Sequence, residues 1–351
     1  MDNVAMKKVA IKAAIFGAVS IAVMLQRSAT KHIMITDAAG VTIDRGDTQD
    51  YYKILVDRNV DESQKGKLII PLAKSVSSDD IVLEDDYVDH ELRIYIDSRE
   101  EGFYLDNAVI TDLNIFDSAV CYKENDSGSV CLDFKLNDFY VNESSLTETG
   151  TMIVEFAKPS QKYDKIVVVN PVGGGETGDN ASSELAKEDV ALDVALALKA
   201  ISEKDSDNDV KFFFTRTTDR EVDDRKRVDV IKASEADLVL EIGASSSDNT
   251  DDSGLTAYYN DVFFTRNISN AEFADKLERS CAKKTGGKAN GVIKADENDH
   301  FLMESTVTGA GIDVGYVTSE KDKNKLAGAG YKKKAAEGIY EAVLDTFKEM
   351  E

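Results

Sequence analysis

The residues able to do chemistry lie mostly in the second half of this sequence. An apolar run from Ile166 to Val169 leads into Asn170-Pro171-Val172-Gly173-Gly174-Gly175-Glu176-Thr177-Gly178, and Gly173 to Gly178 satisfies Gly-x-Gly-x-x-Gly after a strand. A dinucleotide site also needs an acid about 20 residues on, at the end of the second strand. Here that strand ends at Thr215-Arg216, after a long polar loop, so the glycines are read as a flexible loop instead. Downstream, Asp189, Glu241 and Asp313 offer the oxygen ligands that a hard cation such as calcium or magnesium prefers. Imidazole is scarce: the chain has only His32, His90 and His300, each read as a surface or packing residue rather than a ligand. The three cysteines form no Cys-x-x-Cys pair. Cys121 and Cys131 flank the turn-forming stretch 124–128, which leaves open either a cross-strand disulfide or two small apolar strand residues.

The elements that must position these groups read as an α/β unit. From Lys165 onward short apolar runs alternate with helical patterns, the order of a parallel or mixed sheet covered by helices. Ile166 to Val169, Val210 to Phe214, Leu238 to Ile242, Thr256 to Tyr259 and Ile312 to Tyr316 read as strands. Val190, Val194, Ala197, Leu198 and Ile201 recur at helical spacing, and Asp224 to Ser234 is a second helix. Ser269 with Glu272 makes a capping box for a third, and Ala336, Ile339, Tyr340, Val343 and Phe347 face the core from a closing helix. Before this unit, 51–158 alternates with period two in runs such as Lys67 to Ile70, Glu91 to Asp97, Ala108 to Ile115 and Thr151 to Phe156, which predicts an all-β sandwich-like domain.

At the N-terminus, Lys7, Lys8 and Lys12 precede an apolar run ending at Leu25, the layout of a positively charged flank and a hydrophobic segment. The expectation is a cytoplasmic 1–8, an uncleaved single-pass signal-anchor over 9–27 and a linker over 28–50, with the C-terminal domains outside the cytoplasm. A formal charge of −24 repels polyanions, so nucleic acid is excluded as a partner.

The segment from Lys165 to Phe347 resembles the zinc-dependent N-acetylmuramoyl-L-alanine amidases, which cut between the glycan and the stem peptide of peptidoglycan. The resemblance rests on landmarks in order: Asn170-Pro171-Val172-Gly173-Gly174-Gly175, Asp189 to Ala195, Phe214 to Arg220, Gly254 to Tyr259 and Asp313 to Ser319. It implies a mixed sheet flanked by helices, and a zinc held by a His, a Glu and a second His, with a Glu on the last strand as general base. The matching positions are Gly173, Lys187, Gly243 and Asp313. Glycine brings no side-chain lone pair and an ammonium repels a metal, so no metal or cofactor is expected and Asp313 is a degenerate base. A shift of one residue would bring Glu188 to the Glu position. His300 precedes Phe301-Leu302-Met303, which looks like a family strand. The β domain looks like the peptidoglycan-binding AMIN modules by position and β content. The expectation is therefore a membrane-anchored, non-catalytic protein of the cell wall. Its vestigial groove of Asn170, Gly173, Lys187, Gly243 and Asp313 would bind peptidoglycan or a cell-envelope protein. The alternative is an active amidase with a metal site rearranged around Asp189, Glu241 and Asp313.

Overall fold

A computed structural model describes residues 34–37, 51–98, 100, 102–123, 130–175, 185–205, 209–261 and 268–351. The expected membrane segment over 9–27, most of the linker, His32, the turn 124–128 and residues 176–178 of the glycine-rich run lie outside the described residues. Among the described residues no helix is long and apolar enough to cross a membrane.

The first half builds β1 (Met34–Asp37), β2 (Tyr51–Lys53), β3 (Val56–Asp57), β4 (Lys67–Pro71), β5 (Ile81–Asp86), β6 (Glu91–Ile96), β7 (Val109–Ile110), β8 (Phe116–Lys123), β9 (Val130–Leu136), β10 (Val141–Leu146) and β11 (Thr151–Ala157). They form two sheets, in the orders β1-β5-β6-β9-β8-β2 and β10-β11-β4-β7-β3. Alternation sends Leu92, Ile94, Ile96, Leu132 and Phe134 of one sheet and Leu68, Ile70, Met152 and Val154 of the other into one shared core. The expected run from Ala108 to Ile115 shrinks to the two residues of β7, because Asp112, Leu113 and Asn114 turn away to close a loop. Between β8 and β9, Cys121 pairs with Leu132 and Tyr122 with Cys131. The two cysteines therefore point to opposite faces of the sheet, and no disulfide joins them.

The second half runs β12 (Lys165–Pro171), α1 (Lys187–Ser202), β13 (Val210–Phe214), α2 (Asp224–Ala233), β14 (Leu238–Ser245), β15 (Leu255–Tyr259), α3 (Asn270–Thr285), β16 (Ala289–Lys294), β17 (Thr308–Tyr316), α4 (Glu320–Leu326) and α5 (Ala329–Met350). The sheet order is β13-β12-β14-β17-β15-β16. The first four of these strands are parallel, and β15 runs against β17. Val190, Val194 and Leu198 of α1 meet Phe273 and Leu277 of α3 and Ile339 and Val343 of α5 in the core on one side of the sheet. The capping box at Ser269 starts α3 as its spacing requires, with the Ser269 hydroxyl accepting from the Glu272 N–H. His300 to Met303 is a helical turn rather than the strand its resemblance implies, because the Asp299 side chain caps the Leu302 N–H and closes the backbone locally.

The two halves share a third core. Tyr87, Val88, Phe139 and Val141 from the sandwich pack with Val168, Phe213, Val222 and Ile231 of the α/β unit. Tyr87 stacks on Phe139 with centroids 5.0 Å apart and meets Phe213 edge-on at 4.9 Å. Beside these rings the Arg220 guanidinium grips Asp86 with both arms, at 2.7 and 2.9 Å, and Lys226 pairs with Asp89 at 2.5 Å. Burial pushes the Asp86 carboxyl up, but the hydrogen bonds and charge of Arg220, with Arg93 behind it, outweigh burial and hold it below the usual carboxylate range. Asp86→Ala leaves the Arg220 guanidinium at this seam with only the longer contact to Asp89 at 3.4 Å, so it should cost about 3 kcal/mol in denaturant unfolding. Arg220→Ala should add little once Asp86 is gone. Additive losses in the double variant, within about 0.5 kcal/mol, would show that the pair does not hold the seam.

Candidate functional site

The parallel strands carry the site at their C-terminal ends. The chain leaves β12 for β13 on one side and returns to β14 on the other, which opens a crevice between β12 and β14 where α/β folds place ligands. Register then sets the neighbours. Asn170 pairs with Glu241, Glu241 with Gly311, and Gly311 with Tyr258, so these four form one row across the sheet.

Gly311 is the gap in that row. A Cβ there would fall inside the ring of Tyr258, so the tyrosine lies over the glycine and its hydroxyl donates to Glu241 Oε1 at 3.2 Å. From the other side Asn170 Nδ2 donates to Glu241 Oε2 at 3.0 Å, and Asn170 Oδ1 accepts from the Thr215 hydroxyl at 2.7 Å and from Arg227. Burial first, then the negative charge of Asp299, raises the Glu241 carboxyl to about 8, against the smaller pull of its two donors. Burial thus favours the neutral form of Glu241 between its two partners.

The next row pairs Gly243 with Asp313. The Asp313 carboxylate occupies the place a Cβ on Gly243 would need, and its other oxygen accepts from the Ser245 hydroxyl at 2.5 Å. Burial raises the Asp313 carboxyl, while the Ser245 hydrogen bond and the Lys187 charge draw it back. Lys187 opens α1 with an exposed side chain, so its ammonium acts on Asp313 from the solvent side. One residue on, the Glu188 side chain packs against Gly173, with its Cβ 3.0 Å and its carboxylate 3.4 Å from where a Cβ would stand. The structure therefore brings both Lys187 and Glu188 to the groove, one toward each glycine position.

Two arginines hold the loop after β12. Arg216 donates to the carbonyls of Pro171 (3.0 Å), Val172 (2.8 Å), Thr218 (3.1 Å) and Glu188 (2.9 Å). Arg227 donates to those of Pro171 (3.2 Å), Gly173 (2.8 Å) and Val222 (3.1 Å). Burial and the charge of Arg227 lower Arg216 to about 10, which leaves it charged at neutral pH. Gly173 and Gly174 take φ of +74° and +122°, and the space a Gly174 side chain would fill belongs to the Arg220 carbonyl. Neither the arginines, nor Ser245, nor Tyr258 stands out in the sequence as a site residue. The signal for Tyr258 was Gly311, a glycine inside a core strand that marks a close approach.

The remaining candidates lie elsewhere. His300 is exposed beside Glu304, with Nδ1 3.3 Å from its carboxylate, and His90 sits against Phe139 at the seam between the two halves. Asp189 has Glu188 and Arg216 as charged neighbours. Among the described residues no three His, Cys, Asp or Glu side chains gather into a group that could hold a metal ion, so the rearranged set of Asp189, Glu241 and Asp313 is not assembled.

The family described as N-acetylmuramoyl-L-alanine amidase matches residues 166–345. The chain belongs to this family. Among curated relatives, the N-acetylmuramoyl-L-alanine amidase LytC of Bacillus subtilis is 23% identical over 182 residues, which cover 52% of this chain and 35% of LytC. A germination-specific N-acetylmuramoyl-L-alanine amidase of the same organism is 27% identical over 196 residues, covering 53% of this chain and 81% of its own length. The chain thus spans about a third of the first relative's length and most of the second's. Among solved structures, the amidase AmiC2 of Nostoc punctiforme is 27% identical, covers 52% of this chain and 97% of its own, and superposes with a TM-score of 0.47.

Glu241 sets a pH test. Its carboxyl titrates higher in the fold than in the unfolded chain, so it stabilises the fold at low pH and that contribution is lost as pH rises toward 8. Between pH 6.5 and 8.5 stability should fall by about 2 kcal/mol, at about 1.4 kcal/mol per pH unit while the folded acid stays protonated. Glu241→Gln should flatten that slope in denaturant titrations. An unchanged slope in the variant would mean the carboxyl is not held neutral.

Proposed function

We propose that this chain is a non-catalytic cell-wall protein, held at the outer face of the membrane by its N-terminal segment. In this reading its amidase-family domain binds peptidoglycan or a cell-envelope protein instead of cutting the wall. The observation that carries the reading is Gly243, where the family resemblance puts a histidine. The carboxylate of Asp313 lies in the space such a side chain would need and is tied to Ser245. Gly173 likewise offers a metal no side-chain lone pair, and Lys187 adds a positive charge at the third ligand position. A zinc site needs three side-chain donors and an open place for water, and these residues do not fit one. Asp313 then has no metal-bound water to deprotonate, and the Glu241 carboxyl is held by Asn170 and Tyr258 while burial favours its neutral form.

What remains is a groove suited to binding. Two arginines fix its glycine loop, Lys187 and Glu188 stand at its mouth, and nothing in it demands a cofactor. The β domain, AMIN-like in this reading, would add a second contact with the wall. The −24 charge opposes direct contact with anionic wall polymers, which makes the glycan-peptide mesh or a protein the better partner.

The test is elemental analysis of the purified protein together with turnover of isolated cell walls. Less than a tenth of an equivalent of zinc is expected, with no stem peptide released even when zinc is added and with retention on insoluble peptidoglycan or an envelope protein. Stoichiometric zinc, or release of stem peptide that a chelator stops, would overturn the proposal.

A further inference from the structure

A cavity lies apart from this groove, in the sandwich. It holds about 250 Å³ and opens where the chain passes from the edge of one sheet, β2, to the edge of the other, β3. Its floor is the sandwich core itself, Leu68, Val109 and Phe134, and its mouth carries Lys53, Arg58 and Asp117. Beside the mouth, Leu55 and Val56 are exposed apolar side chains.

The charges at the mouth run against those of the chain. In a protein of net charge −24, neither Lys53 nor Arg58 makes an ion pair among the described residues. Arg58 is nonetheless held in place: its Nη1 donates to the Leu113 carbonyl and lies 3.5 Å from the Asn114 side-chain oxygen. Its Nε and Nη2 have no protein partner among the described residues, and a planar guanidinium so anchored keeps donors for a carboxylate. Asp117 brings the mouth to a net single positive charge, which matches one carboxylate rather than a polyanion.

We propose that this cleft binds a small carboxylate with an apolar body, such as the free carboxyl end of an amino acid or short peptide with a leucine-sized side chain. The side chain would take the floor of Leu68, Val109 and Phe134, and the carboxylate would lie between Lys53 and Arg58. A cleft of about 250 Å³ suits a side chain and carboxylate of that size. This site is independent of whether the α/β domain is catalytic.

The test uses the full chain and two probes, N-acetyl-leucine and its uncharged analogue N-acetyl-leucinamide, followed by titration calorimetry or by chemical shifts. Each exposed cation is worth roughly two- to fivefold to a carboxylate, so the acid should bind about tenfold more tightly than the amide. Raising the salt should weaken the acid and leave the amide unchanged. Arg58→Gln, an exposed polar exchange that leaves the core intact, should shrink the preference to about threefold or less. Equal binding of acid and amide, a full preference retained in Arg58→Gln, or no saturable binding of the acid would each overturn the proposal. The last outcome would make the cleft a packing gap at the sandwich edge.

Discussion

The carbonyls at the end of the first α/β strand are held by buried arginines. Pro171 ends β12 beside Ile242 and the Val172 N–H still reaches the Ile242 carbonyl, but the carbonyl oxygens of Pro171, Val172 and Gly173 need donors of their own, and a buried carbonyl without a partner costs the free energy of a lost hydrogen bond. Arg216 and Arg227 meet that need, since a guanidinium has five N–H donors in a fixed plane and can serve several carbonyls at once. The same two side chains reach Glu188 at the start of α1, Thr218 and Val222 in the turn before α2, and Asn170 in the site row. The end of β12, the start of α1 and the turn before α2 are therefore all referred to these two charges.

Around that anchor the groove floor is self-sufficient. Glu241 is matched by Asn170 and Tyr258, and Asp313 by Ser245, so the polar groups at the strand ends find partners within the chain. In a metal-dependent relative, the ion would supply part of that organisation, and its binding energy would count toward folding. On the reading proposed above, hydrogen bonds and the Lys187 charge take that part here. The glycines at 243 and 311 and the side chains that lie over them are mutually fitted, so restoring a ligand at position 243 would require Asp313 to move first.

Legibility followed the physics of each segment. Ile166 to Val169 and Leu238 to Leu240 are continuous apolar runs because both faces of a central parallel strand are covered, and they read directly as strands. The strand β5 did not read, because its second half is Glu84-Asp85-Asp86, three acids that the fold buries. Their partners are Tyr95 and Arg93 from the neighbouring strand β6, and Asn142 and Arg220 from far along the chain. Such burial is a property of the tertiary structure, and local hydropathy argues against it. The groove residues Gly173, Lys187, Gly243 and Asp313 could be placed by family landmarks, and the fold does bring them to one end of the sheet. Which of Lys187 and Glu188 faces which glycine could not be placed, since one helical residue turns the side chain by about 100 degrees. The cysteine pair shows the same limit for strands. A turn near 124–128 was legible, yet the one-residue register that decides which face each thiol occupies was not.

The loop that carries Arg220 joins the two halves of the molecule physically. Its carbonyl closes against Gly174 in the groove loop, and its guanidinium is bidentate on Asp86 at the tip of the β5 to β6 hairpin. A displacement of the sandwich would therefore pull on the residue that packs the glycine loop. The seam also contains the stacked rings of Tyr87, Phe139 and Phe213, and a close-packed aromatic core does not deform gradually. Coupling of a ligand in one half to the other would need a second arrangement of this seam that a ligand could favour. With one arrangement, buried and paired on both sides, the connection serves to position: the sandwich fixes where the groove loop stands.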